Sequence, residues 1–174
     1  MNKSTSKRQH RVYSKPPKFG YGFIPQTWCD DDVGGDADAI DLVDLSWKES
    51  KPVLAVADYL VLGIFGLVDQ GELDYKVLAM EANEANERGV KNLKDYQRLQ
   101  PDSLDEIKVW FRDYKTWEGG KTNKFIWNGD VLPVEQAMAI IKESNLAYLN
   151  LRTEKSRHEE RKYWMGEKEM AKNN

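Results

Sequence analysis

Tyr59-Leu60-Val61-Leu62-Gly63-Ile64-Phe65-Gly66-Leu67-Val68, then Asp69-Gln70-Gly71-Glu72, then Leu73-Asp74-Tyr75-Lys76-Val77-Leu78-Ala79-Met80-Glu81, is the stretch that decides the fold. Tyr59 to Val68 is the longest apolar run in the chain. It falls well short of the roughly 20 residues a bilayer span needs, and Gly63 and Gly66 interrupt it, so it reads as buried strand. Residues 53–68 and 75–81 are both apolar and β-leaning, and the polar turn Asp69-Gln70-Gly71-Glu72 joins them. That pattern predicts a β-hairpin.

Working outward, Ala39-Ile40-Asp41-Leu42-Val43-Asp44-Leu45 alternates with period two inside a strand-and-loop region from Phe19 to Leu45. On the other side, Ser103 with Glu106 carries a capping-box signature. Leu104, Ile107, Phe111 and Tyr114 then fall on one helical face, and Glu118-Gly119-Gly120-Lys121 closes that helix. Pro133 starts a second helix with Val134, Ala137, Met138 and Ile141 at amphipathic spacing. Strands come first and helices last, which predicts an α+β fold around a small barrel or rolled sheet. No internal repeat is visible.

The chain has 174 residues and 20.1 kDa, which suits one domain with a real core. Its net charge is only -3, but the signs are segregated. Met1 to Cys29 contains no acid, whereas Lys3, Lys7, Arg8, Arg11, Lys15 and Lys18 are basic. Asp30 to Asp44 then holds seven aspartates and no Lys or Arg. The expected organisation is a basic arm over 1–18, a folded domain over 19–151, and a charged, exposed helical extension over 152–174. The arm reads as a solvated tail, a targeting segment or, least of all, a nucleic-acid contact. The single cysteine, Cys29, excludes a disulfide framework and Cys-rich zinc chemistry.

Chemistry concentrates in Asp36-Ala37-Asp38-Ala39-Ile40-Asp41. In an extended chain Asp36 and Asp38 project to one side and Asp41 to the other, so a turn or bulge is needed to gather all three. Adjacent carboxylates repel unless one is protonated or a cation lies between them. Oxygen-only donors select a hard ion such as Mg²⁺, Mn²⁺ or Ca²⁺. Alone, the acids read equally well as an exposed loop. An EF-hand loop starting at Asp30 fails, because Gly34 stands at its fifth position, Asp41 at its twelfth, and Pro25 where the entering helix belongs. A second group is the hairpin tip, where Asp69 and Asp74 flank the turn and Lys76 shares a strand face with Asp74. A third is Tyr114, Lys115 and Lys121 at the end of the first helix. Each group has an ordinary structural explanation; their combination suits metal ions with a phosphate anion.

Tyr21-Gly22-Phe23-Ile24-Pro25-Gln26-Thr27-Trp28 followed by Gly35-Asp36-Ala37-Asp38-Ala39-Ile40-Asp41-Leu42 resembles the signature of family I soluble inorganic pyrophosphatases, closest to the eukaryotic type. The similarity continues through Leu62-Gly63-Ile64, Asp69 to Lys76, Trp110 to Lys115 and Gly129 to Glu143. The resemblance implies an OB-like antiparallel β-barrel flanked by the two C-terminal-half helices. It implies that Asp36, Asp41, Asp69 and Asp74 hold several Mg²⁺ ions, with Mn²⁺ as a substitute. Asp38 would deprotonate the attacking water, and Tyr21, Lys76, Tyr114, Lys115 and Lys121 would grip phosphate oxygens. The implied activity is hydrolysis of inorganic pyrophosphate to two orthophosphates, by a cytoplasmic homodimer with no membrane and no nucleic-acid partner.

Two departures qualify that implication. Ala39 stands where the family has Pro. The family also carries a stretch ahead of the Tyr-Gly signature, with a metal-facing Glu and a phosphate-binding Lys and Arg, for which the arm offers no register match. The barrel is therefore expected to be incomplete, with an exposed strand edge. A catalytically silent metal- and phosphate-binding partner subunit is the alternative.

Overall fold

The computed structural model describes residues 13–48 and 51–153. The first twelve residues of the arm, and the extension beyond Thr153, lie outside the described residues.

The predicted hairpin is present, as β3 (Tyr59–Asp69) and β4 (Glu72–Glu81). Its turn is shorter than expected: Gln70 and Gly71 alone reverse the chain, both at positive φ (54 and 96). That is the two-residue geometry whose twist matches the strands. Asp69 and Glu72 become the last ladder pair instead of turn residues. The first run also starts later than residue 53. Pro52 to Ala55 forms a turn with Leu54 at φ 70, and Val53 and Leu54 remain 93% and 91% exposed.

The remaining strands are β1 (Gly20–Phe23), β2 (Asp41–Asp44) and β5 (Lys124–Phe125), and the sheet order is β1-β2-β4-β3-β5. β1 pairs antiparallel with β2, but β2 pairs parallel with β4. Among the described residues the sheet has five strands and is open, as expected of an incomplete barrel, within an α+β fold; it departs from the expected antiparallel pairing at the β2–β4 step. The parallel step arises because the whole β3–β4 hairpin folds back to bring β4 beside β2. The alternation read over 39–45 narrows to the four residues of β2, since Ile40 already closes onto Ile24.

Among the described residues four α-helices flank the sheet where two were expected. Two short ones escaped the sequence reading, α1 (Ala82–Glu87) and α2 (Leu93–Leu99). The others are α3 (Ser103–Asp113) and α4 (Val134–Thr153). Ser103 is no capping box: Asp102 is the N-cap, without a side-chain cap bond, and the Ser103 hydroxyl meets the Tyr96 hydroxyl at 2.6 Å. The α3 face is as read, with Leu104, Ile107, Phe111 and Tyr114 all buried. On α4 only Ala137 of the expected face is fully buried, while Val134 and Met138 are exposed.

The sheet buries both faces. Val43, Phe65, Leu67, Leu78 and Met80 pack under α2 and α3. Leu42, Ile64, Val77 and Ala79 pack on the other side with Ile40 and Ala137. The two strand glycines serve close approach. A Cβ on Gly63 would stand 2.8 Å from the Leu132 carbonyl oxygen, and one on Gly66 2.5 Å from Ile126. Burial, then Asp36, pushes the Cys29 thiol up to about 12, so the sole cysteine is a core residue at neutral pH.

Candidate active site

Strand parity builds the site. Phe65, Leu67 and Asp69 project to one face of β3, as do Met80, Leu78, Lys76 and Asp74 on β4, and Val43 and Asp41 on β2. That face is therefore apolar under α3 and turns ionic toward the hairpin tip. Register aligns the ionic end, with Asp41 and Phe65 flanking Lys76 on its two sides, and Leu67 opposite Asp74.

Lys76, only 3% exposed, donates to both Asp41 and Asp74. Burial alone would lower its pKa, but the combined pull of Asp74 and Asp41 overcomes this and raises it. Phe111 from α3 lies 5.5 Å from the ammonium. The Tyr21 hydroxyl donates to Asp41; although half the residue is exposed, the burial of that end, and then Asp41, lift the phenol well above its usual range. A cavity of about 270 Å³ opens here, and Tyr21, Asp38, Asp41, Asp74, Lys76 and Tyr114 are among its walls. A larger one of about 590 Å³ lies under the N-terminal half of α3, lined by Trp47, Trp110 and Trp117, but no carboxylates converge on a buried lysine there.

The 36–41 loop reaches this site because it is pinned to the hairpin. The Leu73 N–H donates to the Gly34 carbonyl at 2.7 Å, and Gly35 bridges to Leu73. The turn needed to gather the aspartates is at Ala37, whose φ is 57 and whose N–H meets the Cys29 carbonyl at 2.9 Å. Burial first, and then Asp74 and Asp41, push the Asp36 carboxyl up to about 7. Burial also carries Asp74 up to about 6, against the opposing pull of Lys76. Asp38 is exposed at the cavity, its Oδ1 accepting the Ala39 N–H at 2.8 Å.

Asp69 stands one step along, ion-paired with Lys115 and 3.3 Å from the Tyr114 hydroxyl. Lys121 is not among the cavity's walls; it lies in the exposed loop after Gly120. Sequence reasoning missed Tyr13 and Phe111 as cavity walls. Phe111 carried only a core signal. Tyr13 belongs to the segment read as an arm, yet it packs edge-on against Trp110 at 5.2 Å. The Trp110 indole also donates to the Lys15 carbonyl at 2.9 Å, so residues 13–18 run along α3.

The donor set fits a hard divalent ion. One Asp36 oxygen is buried without a hydrogen-bond partner, and the carboxyls of Asp36 and Asp74 are driven toward protonation by burial and then by the carboxylates around them. Asp30, Asp31 and Asp32 form a separate acidic group, with one oxygen from each within 4.8 Å of the others. There Asp30 already accepts the Asp32 N–H.

The sequence profile described as "Inorganic pyrophosphatase" matches residues 3–149. The chain belongs to the inorganic pyrophosphatase family. Among its relatives in this family, the mouse inorganic pyrophosphatase is 34% identical over 148 residues, covering 79% of this chain and 50% of the mouse protein. The crystal structure of an N-terminal-domain-truncated vacuolar soluble pyrophosphatase from Trypanosoma cruzi, in complex with PPi, is similar with a TM-score of 0.72 and 39% identity, over 76% of this chain and 52% of that one. The recombinant inorganic pyrophosphatase from T brucei brucei gives a TM-score of 0.77 and 34% identity, over 81% and 43%. The chain spans about half the length of the curated pyrophosphatases it matches.

Proposed function

We propose that this chain hydrolyses inorganic pyrophosphate to two orthophosphates with Mg²⁺. The observation that carries the reading is the buried, partnerless Asp36 oxygen close to Asp41 and Asp74, which with Lys76 and Tyr21 wall the cavity that Asp36 itself does not line. Asp36, Asp41, Asp69 and Asp74 would hold the ions. Bound Mg²⁺ would neutralise the anionic substrate and acidify water there. Asp38, the exposed carboxylate at the cavity, would take the proton from the attacking water. Lys76, Tyr21, Tyr114, Lys115 and Lys121 would hold phosphate oxygens and stabilise the leaving phosphate. For Lys115 this requires exchanging its Asp69 partner for the substrate. Mn²⁺ would substitute through the same oxygen donors. A cytoplasmic homodimer is part of the same reading, the compartment resting on the lone buried cysteine.

Phosphate release from pyrophosphate with Mg²⁺ tests this. Asp38→Asn should lower turnover by about 10²- to 10⁴-fold while leaving Mg²⁺ binding in place. Release by the unaltered chain no greater than that of the variant rejects the reading. The open sheet favours a second one, a silent binding subunit. Calorimetric binding of Mg²⁺ and pyrophosphate without turnover would select it.

A further inference from the structure

We propose that Tyr13, held against α3 by residues 14–18, is a specificity-determining wall that admits a bare phosphate as leaving group and excludes the substituted phosphate of a nucleotide. This rests on the hydrolysis proposed above and adds to it which leaving group the site accepts.

Residues 13–19 run between two cavities. Tyr13 and Pro17 wall the cavity of about 270 Å³ that Asp38, Asp41, Asp74 and Lys76 also line. Lys15, Pro16, Lys18 and Phe19 wall the larger one, of about 590 Å³. Trp110 walls both. The segment and this one indole therefore form a partition.

The partition is stiff. Pro16 and Pro17 fix two successive φ angles and restrict the residue before each. The Trp110 indole holds the Lys15 carbonyl at 2.9 Å, and the Lys15 ammonium lies 4.5 Å from the centre of the Trp117 ring. The Tyr13 ring crosses two rings that are stacked on each other, Trp110 at 66° and Tyr114 at 69°, with centroids 5.2 and 6.0 Å away. Swinging Tyr13 aside would break both contacts.

The direction of the reaction decides what this wall meets. Water gives its proton to Asp38 and bonds to the nearer phosphorus, while the bridging P–O bond breaks and its electron pair leaves with the farther phosphate. Asp38 also walls a trough of about 310 Å³ beside Phe23, which Tyr13 does not line. The attacked phosphorus thus belongs on the Asp38 side and the leaving phosphate on the side of Tyr114 and Lys115. A group attached to the leaving phosphate runs into Tyr13, Pro17 and Trp110.

Size agrees with this. Sites for drug-sized ligands span about 300–1,000 Å³. The cavity beside the aspartates falls below that range and the one behind the partition falls inside it. Loss of the Tyr13 ring opens the first toward the second and gives a nucleoside somewhere to lie.

Phosphate release from pyrophosphate and from ATP, each with Mg²⁺, yields the ratio of their kcat/KM values. The parent should favour pyrophosphate. Tyr13→Ala should raise the ATP-to-pyrophosphate ratio at least about tenfold, and Tyr13→Phe, which keeps the ring, should hold it at the parent value. A parent that uses ATP as readily as pyrophosphate, or a ratio unmoved by Tyr13→Ala, overturns the wall and leaves the hydrolysis standing. Release from neither substrate rejects the hydrolysis instead. Calorimetric affinities for the two ligands with Mg²⁺ then take the place of the rates: the same tenfold shift upholds the wall, and an unmoved ratio or binding of neither overturns it. Should circular dichroism show Tyr13→Ala unfolded, the milder Tyr13→Leu decides by the same ratio.

Discussion

Asp36 is the residue on which the chemistry turns. A carboxylate oxygen buried without a donor is costly, and the chain tolerates it by letting the group hold a proton up to about pH 7. Asp36→Asn removes that conflict. The metal-free variant should unfold at a higher temperature than the parent at alkaline pH. It should also bind Mg²⁺ more weakly by at least about tenfold, since even losing a ligand's supporting partner costs that much. Scanning calorimetry with and without Mg²⁺ checks both; a variant with unchanged affinity removes Asp36 from the metal site. At this scale the sequence was legible in kind and incomplete in geometry. Density of aspartates marked the loop. Their convergence depended on the left-handed turn at Ala37 and on Cys29, a partner eight residues earlier whose role has no local signature.

Among the elements, the hairpin was legible because its signals are local: two apolar runs and a Gly at the turn. The parallel pairing of β2 with β4 was not, because no nearby residue records which distant strand will arrive. α1 and α2, six and seven residues long, are too short for a helical period to declare itself. α4 carries apolar residues on its outward side as well, which blurred its buried face. Gly63 tests how tightly the elements interlock. Ile64 and Leu132 exchange hydrogen bonds of 3.0 and 2.8 Å directly beside it. Gly63→Ala should force the Leu132 carbonyl aside and lower stability by about 1–3 kcal/mol in denaturant titration. A neutral result would mean that the connection to α4 yields freely.

For the whole molecule, metal and protons compete. The carboxyls of Asp36 and Asp74 have folded pKa values raised to about 7 and about 6 from 3.8. The folded chain therefore retains protons that the unfolded chain releases above about pH 4, and without metal its stability declines as pH rises toward 7. Mg²⁺ needs those sites deprotonated. The stabilisation on adding Mg²⁺, followed by the rise in melting temperature, should be small near pH 5 and grow through pH 8, reaching about 2.7 kcal/mol at a hundredfold excess over Kd. A gain that is flat or shrinks with pH would place the ions elsewhere.

The Trp110 ring stacks on Tyr114 with centroids 4.9 Å apart and planes 4° from parallel, and the Tyr114 hydroxyl reaches Asp69. An indole chromophore is thus wired by one phenol to a carboxylate at the hairpin tip. Whatever charge arrives at Asp69 alters the electric field felt by that stack. The ultraviolet emission of Trp110, one of six tryptophans, should therefore shift as the aspartates fill.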